Sequence, residues 1–318
     1  MKEKRLNIID RLLSALPEKT AARFNTFEDW KKVYYWRIST LEEPVDMAVA
    51  GGFYADRVAF AFAAGYHAAL QKLVPDLPKE TIVSFCVTEE DGGHPRAIKS
   101  RLEPAENSSK SEWRLNGRKQ FVTCAAEAEL FLVAASKGMG NDGKNRLKLV
   151  LLERSATGLT VEVMKDLPFV PEISHGIIHL NDVIVKDSRI LPGDGYTSYI
   201  KPFRTLEDLH VNAAILGYLF RIAKQFRWPK NTGEQILSLI VATKTLAISD
   251  SSLPAVHIAL GGLLTQTKQL ISDLDPLWEN VEPEIKSAWK RDSALMNIAE
   301  KARASRLNTA WSHYKETI

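Results

Sequence analysis

The chain has 318 residues, 45% of them hydrophobic and 25% charged, with a net charge of +3. That is enough apolar material for a core divided between more than one domain, and too small a charge imbalance to argue for nucleic acid or a membrane surface. Two cysteines, Cys86 and Cys124, make no disulfide or zinc framework and fit a reducing compartment.

The N-terminal stretch MKEKRLNIIDRLLSALPEK predicts an amphipathic helix, with Leu6, Ile9, Leu13 and Leu16 at helical spacing. Charges interrupt it, so it offers no continuous signal-peptide core. No segment is long and apolar enough to predict a membrane-spanning helix, and the expectation is a soluble cytoplasmic protein. Helical patterning continues to about Leu77. After Pro44, VDMAVAGGFYADRVAFAFAAGYHAALQKLVP is apolar nearly all round, the mark of a helix buried between neighbours. Gly51 and Gly52 break it or let another element approach closely, and Pro75 and Pro78 end it.

The period changes at Thr81. IVSFCVT, RAIKSRLEP, EWRLNGRKQFVTC, ELFLVAAS, RLKLVLLER, GLTVEVM, GIIHL and DVIVKD follow one another as short strand-like runs. Turn signals separate them at Asn116-Gly117, Asp142-Gly143, Gly158 and Asn181-Asp182, and Asn-Gly between strand-like runs predicts a hairpin. The expected middle domain, residues 81–196, is an antiparallel sandwich or barrel. A second change follows Pro192-Gly193-Asp194-Gly195. Helices are expected near 204–226, 233–249, 254–279 and 283–316, punctuated by Pro229, Pro254, Pro276 and Pro283. The expected division is therefore an N-terminal helical part (1–80), the β-rich middle (81–196) and a C-terminal antiparallel bundle (197–318).

The middle segment carries linked motifs. SFCVTEEDGGHP is similar to the V-T-E-P-x-A-G-S-D segment of the acyl-CoA dehydrogenases. WRLNGRKQFVTCAAEAELFLVAAS follows, similar to L-N-G-x-K-x-[WF]-I-T-N-x-x-x-A-D-x-x-x-V. GLTVEVM and HLNDVIVKDSRILPGDG then resemble G-[LV]-x-V and F-x-[DN]-V-x-V-P-x-x-x-[LV]-L-G-x-x-x-G. Over roughly residues 84–217 the chain thus resembles a shortened, divergent acyl-CoA dehydrogenase, which implies an α+β fold with helices on both sides of a β-sandwich. Agreement among several motifs in order is far more specific than any one of them. The C-terminal part lacks the family's R-x-x-F-G, G-G-x-G-[YF] and E-G-T segments. The first two hold the FAD pyrophosphate and adenine side, and the third carries the base in many members.

The resemblance implies FAD and a concerted α,β-dehydrogenation of an acyl thioester, with a glutamate removing the α-proton while a hydride leaves for the flavin. It places Val87 and Thr88 along the isoalloxazine edge. Phe121 stands where the family usually has tryptophan beside the ring, and Thr123 where a hydroxyl reaches the N5 side. Taken without the motifs, Thr88, Phe121 and Thr123 are residues that β propensity alone would favour. His94 and Pro95 replace a Ser-Asp pair. His94 can donate to a substrate phosphate or carbonyl, whereas Pro95 has no N–H to give; alternatively the loop is released from CoA binding.

With E-G-T missing, Glu207 is the expected base, because its spacing to Gly217 matches members that carry the glutamate on the first bundle helix. Asp208 replaces the arginine that follows it there, and as a second carboxylate would disfavour ionisation of Glu207. The competing reading of Glu207 is a helix-start carboxylate favoured by the dipole. Glu300, beside Lys301 and Arg303, reads as a solvated charge, and His210, one turn beyond Glu207, as structural. Two functions remain open: a FAD-dependent acyl-CoA dehydrogenase-like oxidoreductase acting on acyl-CoA or a related thioester, or a non-catalytic protein of the same fold serving as a binding or assembly module. Either is expected to self-associate as a homodimer through LPAVHIALGGLLTQTKQLI.

Overall fold

The computed structural model describes residues 7–16, 23–105, 111–165 and 167–314. Four helices come first: α1 (Ile8–Ser14), α2 (Phe27–Ile38), α3 (Pro44–Phe53) and α4 (Val58–Leu73). Seven strands follow: β1 (Val83–Cys86), β2 (Arg101–Pro104), β3 (Glu112–Thr123), β4 (Leu130–Met139), β5 (Asn145–Glu153), β6 (Leu159–Val163) and β7 (His175–Lys186). Then come α5 (Lys201–Gln225), α6 (Lys230–Ala247), α7 (Pro254–Asp273), α8 (Pro283–Asp292) and α9 (Glu300–Trp311). None of the described helices is long and apolar enough to cross a membrane.

The chain divides into two units. A helical unit gathers residues 1–72, 168–172 and 205–318, and a β unit gathers 73–167 and 173–204.

In the helical unit, α2 begins with a capping box. The Thr26 hydroxyl accepts the Asp29 N–H at 3.1 Å, and the Asp29 carboxylate accepts the Thr26 N–H at 3.2 Å. Trp30 on α2 stacks between Tyr34 (4.9 Å) and Phe60 of α4 (5.2 Å). Helices α3, α4 and α5 touch backbone to backbone through glycine. A Cβ on Gly52 would lie 1.8 Å from the Ala214 carbonyl oxygen, and one on Gly217 2.3 Å from that of Val49. On Gly65 it would lie 2.7 Å from the Val211 Cα. The all-round apolar pattern of α3 and α4 therefore serves close helix crossings, and α4 is buried from Val58 to Gln71. In α1 the buried residues are Ile8 and Leu12. Leu13 and Leu16 are each 53% exposed, so the inward stripe is not the one the spacing of Ile9, Leu13 and Leu16 predicts; Leu6 lies outside the described residues. Helix α7 ends at Asp273, and Pro276 falls in a separate 3₁₀ turn. The expected last helix breaks after Asp292, whose buried carboxylate turns to accept the Val170 N–H at 2.8 Å.

The β unit is a single mixed sheet in the order β1-β4-β2-β3-β7-β6, with β5 also on β4. Most pairs are antiparallel, but β1 and β2 both run parallel to β4. Asn116-Gly117 is not a hairpin: β3 runs straight through it from Glu112 to Thr123. A register shift there leaves the extra residue on β7, where Asp182 takes φ +52°. The Asn116 side chain donates to the Asp182 carboxylate at 3.0 Å and accepts the Asp182 N–H at 2.8 Å. Gly117 is required because a Cβ would sit 2.1 Å from Ser100 Oγ. The pair thus marks a bulge and a close approach, which use the same residue types as a tight turn.

Candidate functional site

The site is built where β1 runs out beside the far half of β3. Val87 and Thr88 continue past β1, and the chain then reverses at Glu89–Gly92, whose backbones exchange bonds of 3.1 and 2.9 Å. Gly92 takes φ +103°, which a side chain would make costly. From β3, the Gln120 N–H donates to the Thr88 carbonyl at 2.9 Å, and the Gln120 side chain donates to the Glu89 carbonyl at 2.9 Å. Ser84 Oγ donates to the Thr123 carbonyl at 2.5 Å. These bonds bring Val87 and Thr88 against the segment holding Phe121 and Thr123, so the four expected flavin contacts share one corner of the sheet.

A buried ion pair clamps that corner. Lys119, with no exposed surface, donates to Glu89 at 2.6 Å and to the Val87 carbonyl at 3.4 Å. The Glu89 carboxylate also accepts the N–H of Lys99 (2.8 Å), the N–H of Ser100 (3.0 Å) and the Ser100 hydroxyl (2.8 Å). Burial alone would push the Glu89 carboxyl up, but the Lys119 ammonium and the two backbone N–H donors hold it below its ordinary range. Burial lowers Lys119 against the pull of Glu89. Both residues lie within the two linked motifs, as the glutamate after Val-Thr and the lysine after Asn-Gly-Arg. Nothing local in either motif marks the two residues as partners.

Phe121 lies in a second register shift, between the Lys119/Ile178 and Val122/Gly176 pairs, with one extra residue on β3. It takes φ +56° and is 55% exposed. A bulky residue in the left-handed region is a real outlier, and bulges of this kind re-aim a side chain beside functional sites. Val122 beyond it is buried and Thr123 half-buried, so the aromatic face and the threonine belong to the open side of the sheet. Gly93 keeps the space over Thr88 bare: a Cβ there would be 3.4 Å from Thr88 Oγ1. An exposed aromatic ring and a bare glycine beside converging strand ends fit the flat ring of a flavin.

His94 is exposed and caps the short turn Pro95–Ala97, its Nδ1 accepting the Arg96 N–H at 3.3 Å. Pro95 occupies the first position of that turn, where no N–H is needed. Beside Gln120 a cavity of about 260 Å³ is lined by Glu89, Lys99, Ser100, Gly117 and Arg118. It is smaller than a pocket that encloses a cofactor-sized ligand.

Glu207 belongs to the helical unit, and the five residues above belong to the β unit. It is half-buried and lies in the second turn of α5, which a π turn at Tyr196–Ile200 precedes. It is therefore not a helix-start carboxylate of the first turn, where the dipole acts. Asp208 has partners of its own. The Asp208 carboxylate is buried and accepts from Arg303 at 2.9 Å and also from Arg306, so its charge is compensated on another side of the helix. His210 is fully buried, with Nδ1 2.7 Å from the Leu206 carbonyl, and burial lowers its pKa to about 4. Glu300 is exposed at the start of α9 and pairs with Lys268, whose hydrogen bond lowers the Glu300 carboxyl.

A mixed sheet with bulged, converging strand ends and a helical unit assembled from both ends of the chain define an acyl-CoA dehydrogenase-fold protein. Residues 84–183 match the family described as acyl-CoA dehydrogenase, middle domain. Three solved structures share the fold over nearly their whole length. PigA with FAD and proline is 15% identical, with 98% of this chain and 99% of that one covered and a TM-score of 0.67. Butyryl-CoA dehydrogenase from Megasphaera elsdenii is 13% identical, covered 98% and 100%, at 0.68. FMN-bound TdsC from Paenibacillus sp. A11-2 is 12% identical, covered 98% and 96%, at 0.70.

Proposed function

We propose that the chain is a FAD-dependent, acyl-CoA dehydrogenase-like oxidoreductase that introduces an α,β double bond into an acyl thioester. The observation that carries this reading is Phe121, an aromatic ring held half exposed at φ +56° by a bulge beside Val87, Thr88 and Thr123. Its strained backbone is hard to account for in a strand that only needed to pack. The FAD and FMN named with PigA and TdsC support a flavin, and butyryl-CoA dehydrogenase supports the thioester class.

In this reading Val87 and Thr88 line the edge of the ring, Phe121 covers its face, and Thr123 presents a hydroxyl at the reacting end. His94 donates to a phosphate or carbonyl of the substrate. Glu207 takes the α-proton. The flavin, when bound, supplies the acceptor for the β-hydride. The protein works as a homodimer in the cytoplasm. Lacking the family's pyrophosphate segments, it holds FAD more weakly than members that have them, since charge-assisted bonds to phosphate are the strong ones.

Purified protein supplied with FAD is expected to show flavin absorption near about 450 nm and to turn over acyl-CoA substrates. Glu207→Gln keeps the shape and removes the base; it should lower turnover by about a hundredfold or more and leave flavin binding unchanged. Full activity in Glu207→Gln would place the base elsewhere. A second reading, a non-catalytic member of the fold, draws on those absent segments and on Asp208 standing where the alternative catalytic position is followed by arginine. A wild-type protein that takes up no flavin and turns over no acyl-CoA would establish it.

A further inference from the structure

On β7, directly across from Thr123, stands His175. Residues opposite each other in an antiparallel pair point to the same face, with Cβ atoms about 4.5–5.5 Å apart. The next pair, Val122 and Gly176, faces the other way. Val122 is buried there, and a Cβ on Gly176 would lie 2.6 Å from Ala125 Cβ. His175 therefore shares the open face with Thr123 at the candidate flavin corner.

The ring of His175 is oriented. Its Nδ1 lies 3.2 Å from the Ile173 carbonyl oxygen, which can only accept, so the proton sits on Nδ1 and Nε2 keeps its lone pair. Burial lowers the pKa of His175, and this half-buried ring has no ion pair among the described residues. His179, two steps further along the same face of β7, shows the contrast: its Nε2 meets Glu162 at 3.1 Å. Nε2 of His175 has no such partner among the described residues, and a half-buried acceptor left unmatched is costly once a ligand excludes water from it.

We propose that His175 is a specificity-determining residue whose Nε2 accepts a hydrogen bond from the bound substrate, so that the site prefers an acyl thioester bearing a hydroxyl or N–H on its acyl part over one with a plain alkyl chain. The inference rests on the flavin-site reading above and adds to it the substrate class. A site in which the ligand excludes water from an acceptor rejects the analogue lacking the donor, because binding that analogue leaves the acceptor unpaired.

The test uses flavin-loaded protein and reads binding through the ligand-induced shift of the flavin spectrum. The probes are hexanoyl-CoA and the hydroxyhexanoyl-CoA isomers with the hydroxyl on each carbon beyond the β-carbon. Wild type is expected to bind at least one isomer about tenfold to a hundredfold more tightly than hexanoyl-CoA. His175→Leu should erase that preference with flavin content unchanged, and His175→Gln, which keeps an acceptor near the Nε2 position, should retain most of it. If the leucine variant does not fold, His175→Asn, which moves the acceptor inward, is expected to lose the preference in its place. No preference in wild type, or a preference that survives in both the Leu and Asn variants, overturns the inference while leaving the flavin reading standing. Wild type that takes up neither FAD nor FMN overturns both.

Discussion

At the corner of the β unit a buried carboxylate and a buried ammonium hold the chain, while at the crossings of α3, α4 and α5 the absence of side chains does. Glu89 and Lys119 keep their charges because each lies in reach of the other and the remaining lone pairs of Glu89 are filled by Ser100 and by backbone N–H groups. At those crossings the buried His210 is neutral, and Gly52, Gly65 and Gly217 let backbones touch. The β unit fixes position by a few strong, directional contacts, so it writes recognisable residues at fixed spacing. The crossings of α3, α4 and α5 fix position by volume, which many sequences satisfy. The family's motifs are therefore crowded into the first and sparse in the second.

The comparison breaks most visibly at the ion pair. Lys119→Met should leave Glu89 buried and uncompensated and cost about 3–5 kcal/mol, read as a lower urea midpoint. The double variant Lys119→Met/Glu89→Gln should recover part of that loss, since no lone charge remains. A single-variant loss no larger than a surface substitution gives would show that the clamp is solvated.

His210 sharpens the other half. Its folded pKa of about 4 lies below the ordinary histidine value of 6.5, so the unfolded chain binds the proton first. The stability tied to the neutral ring is fully present above pH 6.5 and is lost as pH falls toward 4, on the order of 3 kcal/mol in all. Unfolding free energies across that window should fall less steeply in His210→Gln than in wild type; parallel slopes would mean that the ring takes up its proton without unfolding.

Glycine substitutions test the volume argument in both directions. Gly52→Ala gains helix propensity, but its Cβ meets the Ala214 carbonyl, and overpacking of a rigid backbone should leave a net loss of about 1–3 kcal/mol. Gly262 on α7 has nothing within 4 Å of the added carbon, so Gly262→Ala should stabilise by about 0.5–1 kcal/mol. Thermal midpoints moving the same way in both variants would remove the distinction between them.

Much of the candidate site was legible before the structure. Val87, Thr88, Phe121 and Thr123 sit in linked motifs, and the structure brings them to one corner. The Glu89–Lys119 pair was not legible as a pair, because a contact between residues thirty apart depends on strand pairing that neither segment specifies alone. Asn116-Gly117 reads as a turn because a bulge at a close approach asks for the same small, φ-tolerant residues. His175 was missed outright: a lone histidine at the start of a strand gains meaning only from the residue opposite it.

The sequence by itself determined where the chain changes from helix to strand and back, since periodicity and turn chemistry are local. It determined the buried character of α3 and α4, since an all-round apolar pattern has no solvent face to offer. Only the tertiary structure decided that β1 and β2 run parallel to β4, that both ends of the chain build one helical unit, and that Asp208 meets Arg303 and Arg306. Those outcomes join residues far apart in sequence, and the free energy that selects among such pairings lies in burial and in matched charges that exist only once the chain has closed on itself.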